Sequence, residues 1–352
     1  MRILILGNDY SAKSFLNLFL KNDDNIVFST IKNEKNYIEL DTQEDIQDFC
    51  EANAINLVLI TDEDYINAGL QELLSAQNIS VLAPSSEAIS ICASKAVAKK
   101  FMYKNKIQTP RFQVIEKPNL ALDIIKNLEA PMVARVDTHN FKECSLAFET
   151  MSQGQKIIND FFNSGNKRII LEDYIEGKNF STWVISDGYS ARIIGSSAKY
   201  QNDISCFEPD FINEELKEKI KKEFISPTIS ALLEEDEEYI GVLGFDFILR
   251  QDGELFLLGY NSFFDDINVD FFTHGFELNW AEVFDSIVVG DVFLKYDFKP
   301  KTKFMLSIRQ IEDKKETIEF IQANTKENLK RYLENLDFDL KEYEEAKKLW
   351  KS

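Results

Sequence analysis

Glycine is scarce in this chain, with 13 residues in 352, about half the ~7% of average usage. Loops that cradle phosphates usually need glycine so that backbone amides can approach an anion closely, and the shortage argues against a glycine-built phosphate loop. Histidine is rarer still. His139 and His274 are the two present, which removes the raw material for histidine-rich metal sites and most catalytic triads. The cysteines Cys50, Cys92, Cys144 and Cys206 stand far apart without a CxxC pair. That spacing excludes a thiolate zinc site and a disulfide framework, and a reducing, cytoplasmic compartment is expected. The residues after Met1 do not read as a signal peptide, and no apolar run reaches the ~18 residues of a membrane span. Positive charge is short as well: 40 Lys+Arg face 60 Asp+Glu, a net −20. Phosphate backbones and anionic lipid surfaces repel such a chain, so neither nucleic acid nor membrane is expected as a partner.

What the chain does have is apolar residue, 44% of the total with 28 phenylalanines, enough to exclude global disorder. Its length fits two domains or three small ones at ~150 residues per domain. Arg2–Leu6 is an apolar run that stops at Gly7, and Ser11–Leu20 has helical spacing. Asn25–Thr30 and Ile55–Thr61 repeat the strand pattern, Tyr65–Ala76 reads as a helix, and Ile79–Ala83 as a strand before Pro84. Buried strands alternating with helices predict a parallel sheet covered on both faces. The turn Gly7-Asn8-Asp9-Tyr10 lacks the GxGxxG spacing of a dinucleotide site.

Farther on, a helix is expected from Ser86 to about Asn105, N-capped by Ser86, and another over Leu120–Leu128. Extended segments are expected at Thr109–Ile115, Pro131–Val136, Arg168–Tyr174, Ser181–Ser186 and Ala191–Ser196. Asn213–Leu233 reads as a helix interrupted by Pro227. Tyr239–Leu249 and Glu254–Tyr260 read as a hairpin around Gln251-Asp252-Gly253. Beyond Lys315 the chain is charged and expected to be helical, with Leu340, Tyr343, Ala346 and Trp350 on one apolar face.

Several strings fall in a consistent order along residues 1–290. They are Leu82-Ala83-Pro84-Ser85-Ser86, then Ala93-Ser94-Lys95-Ala96-Val97-Ala98-Lys99 with Phe101, then Ile107-Gln108-Thr109-Pro110. Pro131-Met132-Val133-Ala134-Arg135-Val136-Asp137, Leu171-Glu172-Asp173-Tyr174-Ile175-Glu176-Gly177 and Tyr239-Ile240-Gly241-Val242-Leu243 follow. In these strings the chain resembles the ATP-grasp superfamily, and more narrowly the phosphoribosylamine–glycine ligase family. The resemblance implies a mixed α/β and α+β ATP-grasp fold with an N-terminal Rossmann-like preATP-grasp domain over 1–105. It further implies a lid subdomain over 106–185 and a central subdomain over 186–300, with a charged helical extension over 301–352.

It also implies a reaction in which ATP phosphorylates a carboxylate and an amine attacks the acyl phosphate. Such a site needs cations over the phosphates, magnesium held by carboxylates and an amide, and a glycine-rich lid. Lys95 and Arg135 stand at the family's two phosphate lysines, Arg135 being the catalytic candidate with a planar fork in place of a flexible point charge. Glu172 and Ile175 stand at the adenine hinge, and Asn179 where a glutamate grips the ribose. Asp246 and Asn261 match magnesium ligands. Taken by themselves, Lys95 also reads as a solvated helix lysine beside Lys99 and Lys100, and Arg135 as a surface arginine. Glu172 and Ile175 also read as plain strand and turn, and Asp246 as a strand aspartate.

The departures are local to the functional loops. Gly259 replaces the second magnesium carboxylate, which predicts a weak metal site, with Asp265 or Asp266 as substitutes. Phe263 replaces an arginine. Thr138 to Ser145 carries no glycine where the family has its lid, and the family's glycine-rich stretch is absent after Lys199. Asn8-Asp9-Tyr10-Ser11-Ala12-Lys13 replaces the phosphoribosyl-holding turn. Three readings stay open: a divergent ATP-dependent carboxylate–amine ligase, with purine biosynthesis implied by the resemblance; a catalytically impaired relative that binds nucleotide or a protein partner; and an interaction protein with an empty cleft.

Overall fold

A computed structural model describes residues 1–120, 124–125, 131–137, 145–200, 204–265, 268–290, 296–312 and 315–335. The chain opens as alternating strand and helix: β1 (Arg2–Leu6), α1 (Tyr10–Phe19), β2 (Ile26–Ser29), α2 (Gln43–Ala52), β3 (Leu57–Ile60), α3 (Glu63–Asn67), α4 (Leu70–Ser75) and β4 (Ser80–Leu82). The strands lie parallel in the order β2-β1-β3-β4, the Rossmann-like arrangement expected of apolar runs without alternation. The helix expected over Tyr65–Ala76 is two, because Gly69 between α3 and α4 takes φ 77°. Gly7 ends β1 at φ 151°, where an added Cβ would sit 2.1 Å from Thr61 Oγ1, so this turn admits no side chain.

Next come α5 (Ser90–Ala93), α6 (Lys95–Lys104), β5 (Phe112–Ile115), β6 (Met132–Val136), β7 (Ser145–Phe148), α7 (Met151–Asn163) and β8 (Ile169–Asp173). The single helix expected from Ser86 is thus broken at Ser94. That residue is extended, and its side chain caps α6 by accepting from the Val97 amide, so Ser94, not Ser86, is the N-cap. The helix expected over Leu120–Leu128 falls mostly outside the described residues. Helix α7 escaped the sequence reading, although its capping box, Thr150 with Gln153, is legible there.

The remaining elements are β9 (Lys178–Asp187), β10 (Ala191–Tyr200), β11 (Ile204–Phe207), α8 (Glu214–Ile220), α9 (Ser226–Glu234), β12 (Ile240–Leu249), β13 (Leu255–Asn261), α10 (Val269–Gly275), α11 (Trp280–Val288), β14 (Phe304–Glu312), β15 (Lys315–Ala323) and α12 (Lys326–Asn335). A π-helical turn, Lys221–Ile225, joins α8 to α9. Widening the helix there accommodates Pro227, whose ring clashes with the carbonyl four residues back in a regular α-helix. The helical expectation beyond Lys315 is corrected. Lys315–Ala323 is a strand paired antiparallel with β14 from Phe304↔Ala323 to Glu312↔Lys315. Ile318, Phe320 and Ile321 give it the β-branched and aromatic content of a strand, which the surrounding charge concealed. Helix begins only at Lys326, and Leu340, Tyr343, Ala346 and Trp350 lie outside the described residues.

The chain divides into two compact units. The first comprises Met1–Ile89, Phe180–Gly244 and the described residues from Phe263 on. It holds the parallel sheet and the sheet order β12-β9-β10-β11-β14-β15, to which β12 contributes its N-terminal half. Its core is rich in rings: Phe264 stacks on Phe272 at 3.9 Å between centroids, and Trp183, Phe15 and Trp280 close around them. The second unit comprises Ser90–Asn179 and Phe245–Ser262. It contains the four-stranded sheet β5-β8-β6-β7 and the pairing of β13 with β12. Lys95, Arg135, Glu172, Ile175, Asn179, Asp246 and Asn261 all belong to this second unit.

Candidate functional site

The sheet β5-β8-β6-β7 separates its chemistry by face. Met132, Ala134, Ile169 and Leu171 bury themselves with Ile115, Phe148 and Ile158 in an apolar core. Successive residues of a strand point to opposite faces, so Arg135 on β6 and Glu172 on β8 share the other one. The register sets them on a diagonal, with Glu172 opposite Val133 and Arg135 opposite Ile170. Arg135 Nε lies 3.4 Å from Glu172 Oε1, and Arg135 Nη1 donates to Ser145 Oγ at 2.8 Å. Glu172 is 1% exposed, whereas Arg135 keeps 22% of its side chain in solvent. The carboxylate is sealed and the cation opens outward.

A third charge completes this cluster. Lys99, in the second turn of α6, has no exposed surface. Its ammonium donates to Thr109 Oγ1 at 2.7 Å and lies 3.4 Å from Glu172 Oε2. Thr109 in turn donates to the Leu257 carbonyl of β13 at 2.8 Å. Burial pushes the ammonium below the usual lysine value, Glu172 opposes that, and the charges of Arg135 and Lys95 add to it. The sequence reading named Lys99 only as a neighbour of Lys95 and gave it no role of its own. Ala96, Lys99 and Met102 are all fully buried at three-residue intervals, a helical spacing that could have revealed the inward face.

Lys95 opens α6 and is half-buried. The start of that helix is anchored by Asp137, a residue the sequence reading gave no role. Asp137 Oδ1 accepts from Ser94 Oγ at 2.8 Å and from the Ala96 amide at 3.0 Å, and Oδ2 pairs with Arg168 at 2.9 Å. A carboxylate here also complements the positive end of the helix dipole. Ile175 is half-buried in the turn after β8, and Asn179 is exposed near the start of β9.

Asp246 and Asn261 stand apart from this sheet, on the β12–β13 pair. Phe245 and Phe247 stack on one face of β12, and Tyr260 of β13 meets Phe245 edge-on at 5.3 Å. Alternation then sends Asp246, Gly259 and Asn261 to the opposite face. A Cβ built on Gly259 meets nothing within 4 Å. Magnesium keeps several waters and takes only one or two carboxylates besides phosphate oxygens, and one Asp with one Asn fits the low end of that requirement. Among the described residues no group of three His, Cys, Asp or Glu is placed to hold a metal. Asp265, a substitute considered for the missing carboxylate, belongs to the first unit and pairs there with Lys199 at 2.5 Å. Phe263 is a half-buried ring packed edge-on against Phe15. Thr138 to Cys144, where the lid was sought, and Asp266 lie outside the described residues.

In the first unit, a cavity of about 230 Å³ opens beyond the carboxyl ends of β1, β2 and β3, lined by Gly7, Thr30, Asp41, Asp62 and Tyr65 among others. Asp9 caps α1 by accepting from the Ala12 amide at 2.6 Å. Burial raises its carboxyl above the usual value, against the hydrogen bond from the Ala12 amide.

The family model for the ATP-grasp (A) domain of phosphoribosylglycinamide synthetase matches residues 93–269, half of the chain. Among curated proteins, the phosphoribosylamine–glycine ligase of Neisseria meningitidis serogroup B is 23% identical over 246 residues, which are 65% of this chain and 58% of that protein. The Fusobacterium nucleatum enzyme of the same name is 23% identical over 288 residues, 74% of this chain and 67% of that protein. The chain thus spans roughly three fifths to two thirds of the length of these relatives. The crystal structure of phosphoribosylamine–glycine ligase from Thermotoga maritima superposes with a TM-score of 0.73 at 18% identity, covering 94% of this chain and 95% of that one. At that identity the likeness establishes the fold, which is ATP-grasp.

Proposed function

The chain belongs to the phosphoribosylglycinamide synthetase ATP-grasp (A) domain family, and from that premise we propose that it is a divergent ATP-dependent carboxylate–amine ligase. A substrate carboxylate oxygen takes the γ-phosphoryl group of ATP and ADP leaves; an amine nitrogen then attacks the acyl carbon and phosphate departs. The observation that carries the reading is the meeting of Arg135 with buried Glu172 on one sheet face, 3.4 Å apart, with the guanidinium opening to solvent. A guanidinium held by a buried carboxylate is preorganised to meet phosphate oxygens. Arg135 and Lys95 would face the phosphates, Glu172 and Ile175 the adenine through their backbone groups, and Asn179 the ribose. Asp246 and Asn261 would hold magnesium, which neutralises phosphate charge when bound. Relatives named phosphoribosylamine–glycine ligase support a purine-biosynthetic amine as substrate, and the buried thiols of Cys50 and Cys206 accord with a reducing, cytoplasmic setting.

One observation favours a second reading, nucleotide binding without ligase turnover. Gly259 leaves its face of β13 open where a second magnesium carboxylate is expected, and losing such charge neutralisation typically costs about 10²–10³ in rate. Calorimetric titration with ATP, with and without magnesium, separates the two. Binding that magnesium strengthens supports the ligase and justifies a screen of carboxylates and amines. Binding indifferent to magnesium supports the second reading, and no binding at millimolar ATP removes both.

A further inference from the structure

Lys99 is the one fully buried cation among the described residues, and the nucleotide reading gives it no contact with a ligand. Lysine is almost never sealed in this way unless it is paired, and a buried ion pair is a poor means of gaining stability compared with apolar packing. The three linked charges can be counted: Lys99 +1, Glu172 −1 and Arg135 +1, one net positive charge. Without Lys99, Glu172 and Arg135 would be a neutral pair, and an anion arriving at the open end of Arg135 would meet a guanidinium already compensated. The ammonium lies on Oε2 while Arg135 lies on Oε1, both at 3.4 Å. The two cations therefore divide one carboxylate from opposite sides.

We propose that Lys99 is a positioning residue for phosphate recognition: it neutralises Glu172 from within the fold, so that Glu172 orients Arg135 without cancelling its charge. This rests on the reading of Arg135 as a phosphate contact. The same ammonium donates to Thr109, whose hydroxyl donates to the Leu257 carbonyl on β13. Lys99 is thus fixed by a strand pair as well as by the carboxylate, and the charge balance cannot be lost through a simple rotation of the lysine. Lys95 is one helical turn earlier on α6 and near enough to depress the Lys99 pKa, so it contributes to the same positive field. Arg135 and Glu172 are the other charged groups acting on Lys99.

The test compares ATP affinity of the wild-type chain with Lys99→Met, Lys99→Arg, Arg135→Met and the double variant Lys99→Met/Glu172→Gln, with the fold of each checked by circular dichroism. Lys99→Met is expected to weaken ATP by about tenfold, the worth of one partly screened charge, with Lys99→Arg close to wild type. The double variant removes both buried charges, leaves Arg135 as the net positive charge, and is expected to regain most of the lost affinity. Removing both buried charges also relieves the structural cost of leaving one unpaired, so the unfolding free energy of each variant is measured beside its affinity, and affinity that merely follows stability across the series overturns the proposal. A folded double variant as weak as Lys99→Met overturns the proposal, as does Lys99→Met binding like wild type. Wild-type binding that Arg135→Met leaves unchanged overturns it as well, while the nucleotide reading survives. A wild-type chain that binds no ATP overturns both.

Discussion

The Glu172 carboxylate lies 3.4 Å from the ammonium of Lys99, and neither side chain is more than 1% exposed. Buried charges of this kind are tolerable only together. Removing one partner leaves the other uncompensated in a low-dielectric interior, at about 3–5 kcal/mol. Glu172→Ala is therefore expected to lower the unfolding free energy by about that amount in a urea titration. A change under about 1 kcal/mol would mean that water reaches Lys99.

Asp137 ties the start of α6 to the end of β6. Asp137→Ala is expected to destabilise the chain by about 1–3 kcal/mol, since the Ser94 hydroxyl, the Ala96 amide and the Arg168 guanidinium all lose an acceptor. Amide exchange should show the first turn of α6 opening more often. Unaltered protection at Ala96 and Val97 would count against Asp137 as the anchor.

Gly259→Glu tests the metal strand. Space for the side chain is open and the backbone is not left-handed there, so stability should change by less than about 0.5 kcal/mol. Magnesium-dependent ATP affinity should rise, because a second carboxylate joins Asp246 and Asn261. Affinity that stays level would separate this face of β12 and β13 from magnesium.

Two buried thiols make stability fall at alkaline pH. Burial pushes Cys206 up to about 12 and Cys50 up to about 11, from an ordinary 9.0. Raised folded-state values mean that the folded chain keeps protons the unfolded chain releases. The stabilisation is complete below pH 9 and is lost as pH rises through 11 and 12. Between pH 9 and 11 the slope should approach about 1.4 kcal/mol per pH unit for each thiol. Denaturant titrations across this range should show Cys206→Ala flattening the slope, and an unchanged slope would place the alkaline loss elsewhere.

Much of the architecture followed from local pattern. Unbroken apolar runs such as Leu57–Ile60 gave the parallel sheet, and Gln251-Asp252-Gly253 gave the turn between β12 and β13, because burial on both faces and turn geometry are written in consecutive residues. Where local pattern was ambiguous it misled: the charge around Ile318 and Phe320 suggested helix, but pairing with β14, a contact set by tertiary structure, made a strand. The positions of Arg135 and Glu172 were legible as strings within strands. That they share a face 3.4 Å apart depends on the β6–β8 register, which joins residues 37 positions apart in sequence. Lys99 shows the limit most sharply. One lysine among three near the start of α6 looks like solvated charge, and only packing of the helix against β8 decides that this one is buried. Sequence determines which groups a chain can offer; which of them lose water, and so interact at full strength, is settled by the tertiary fold.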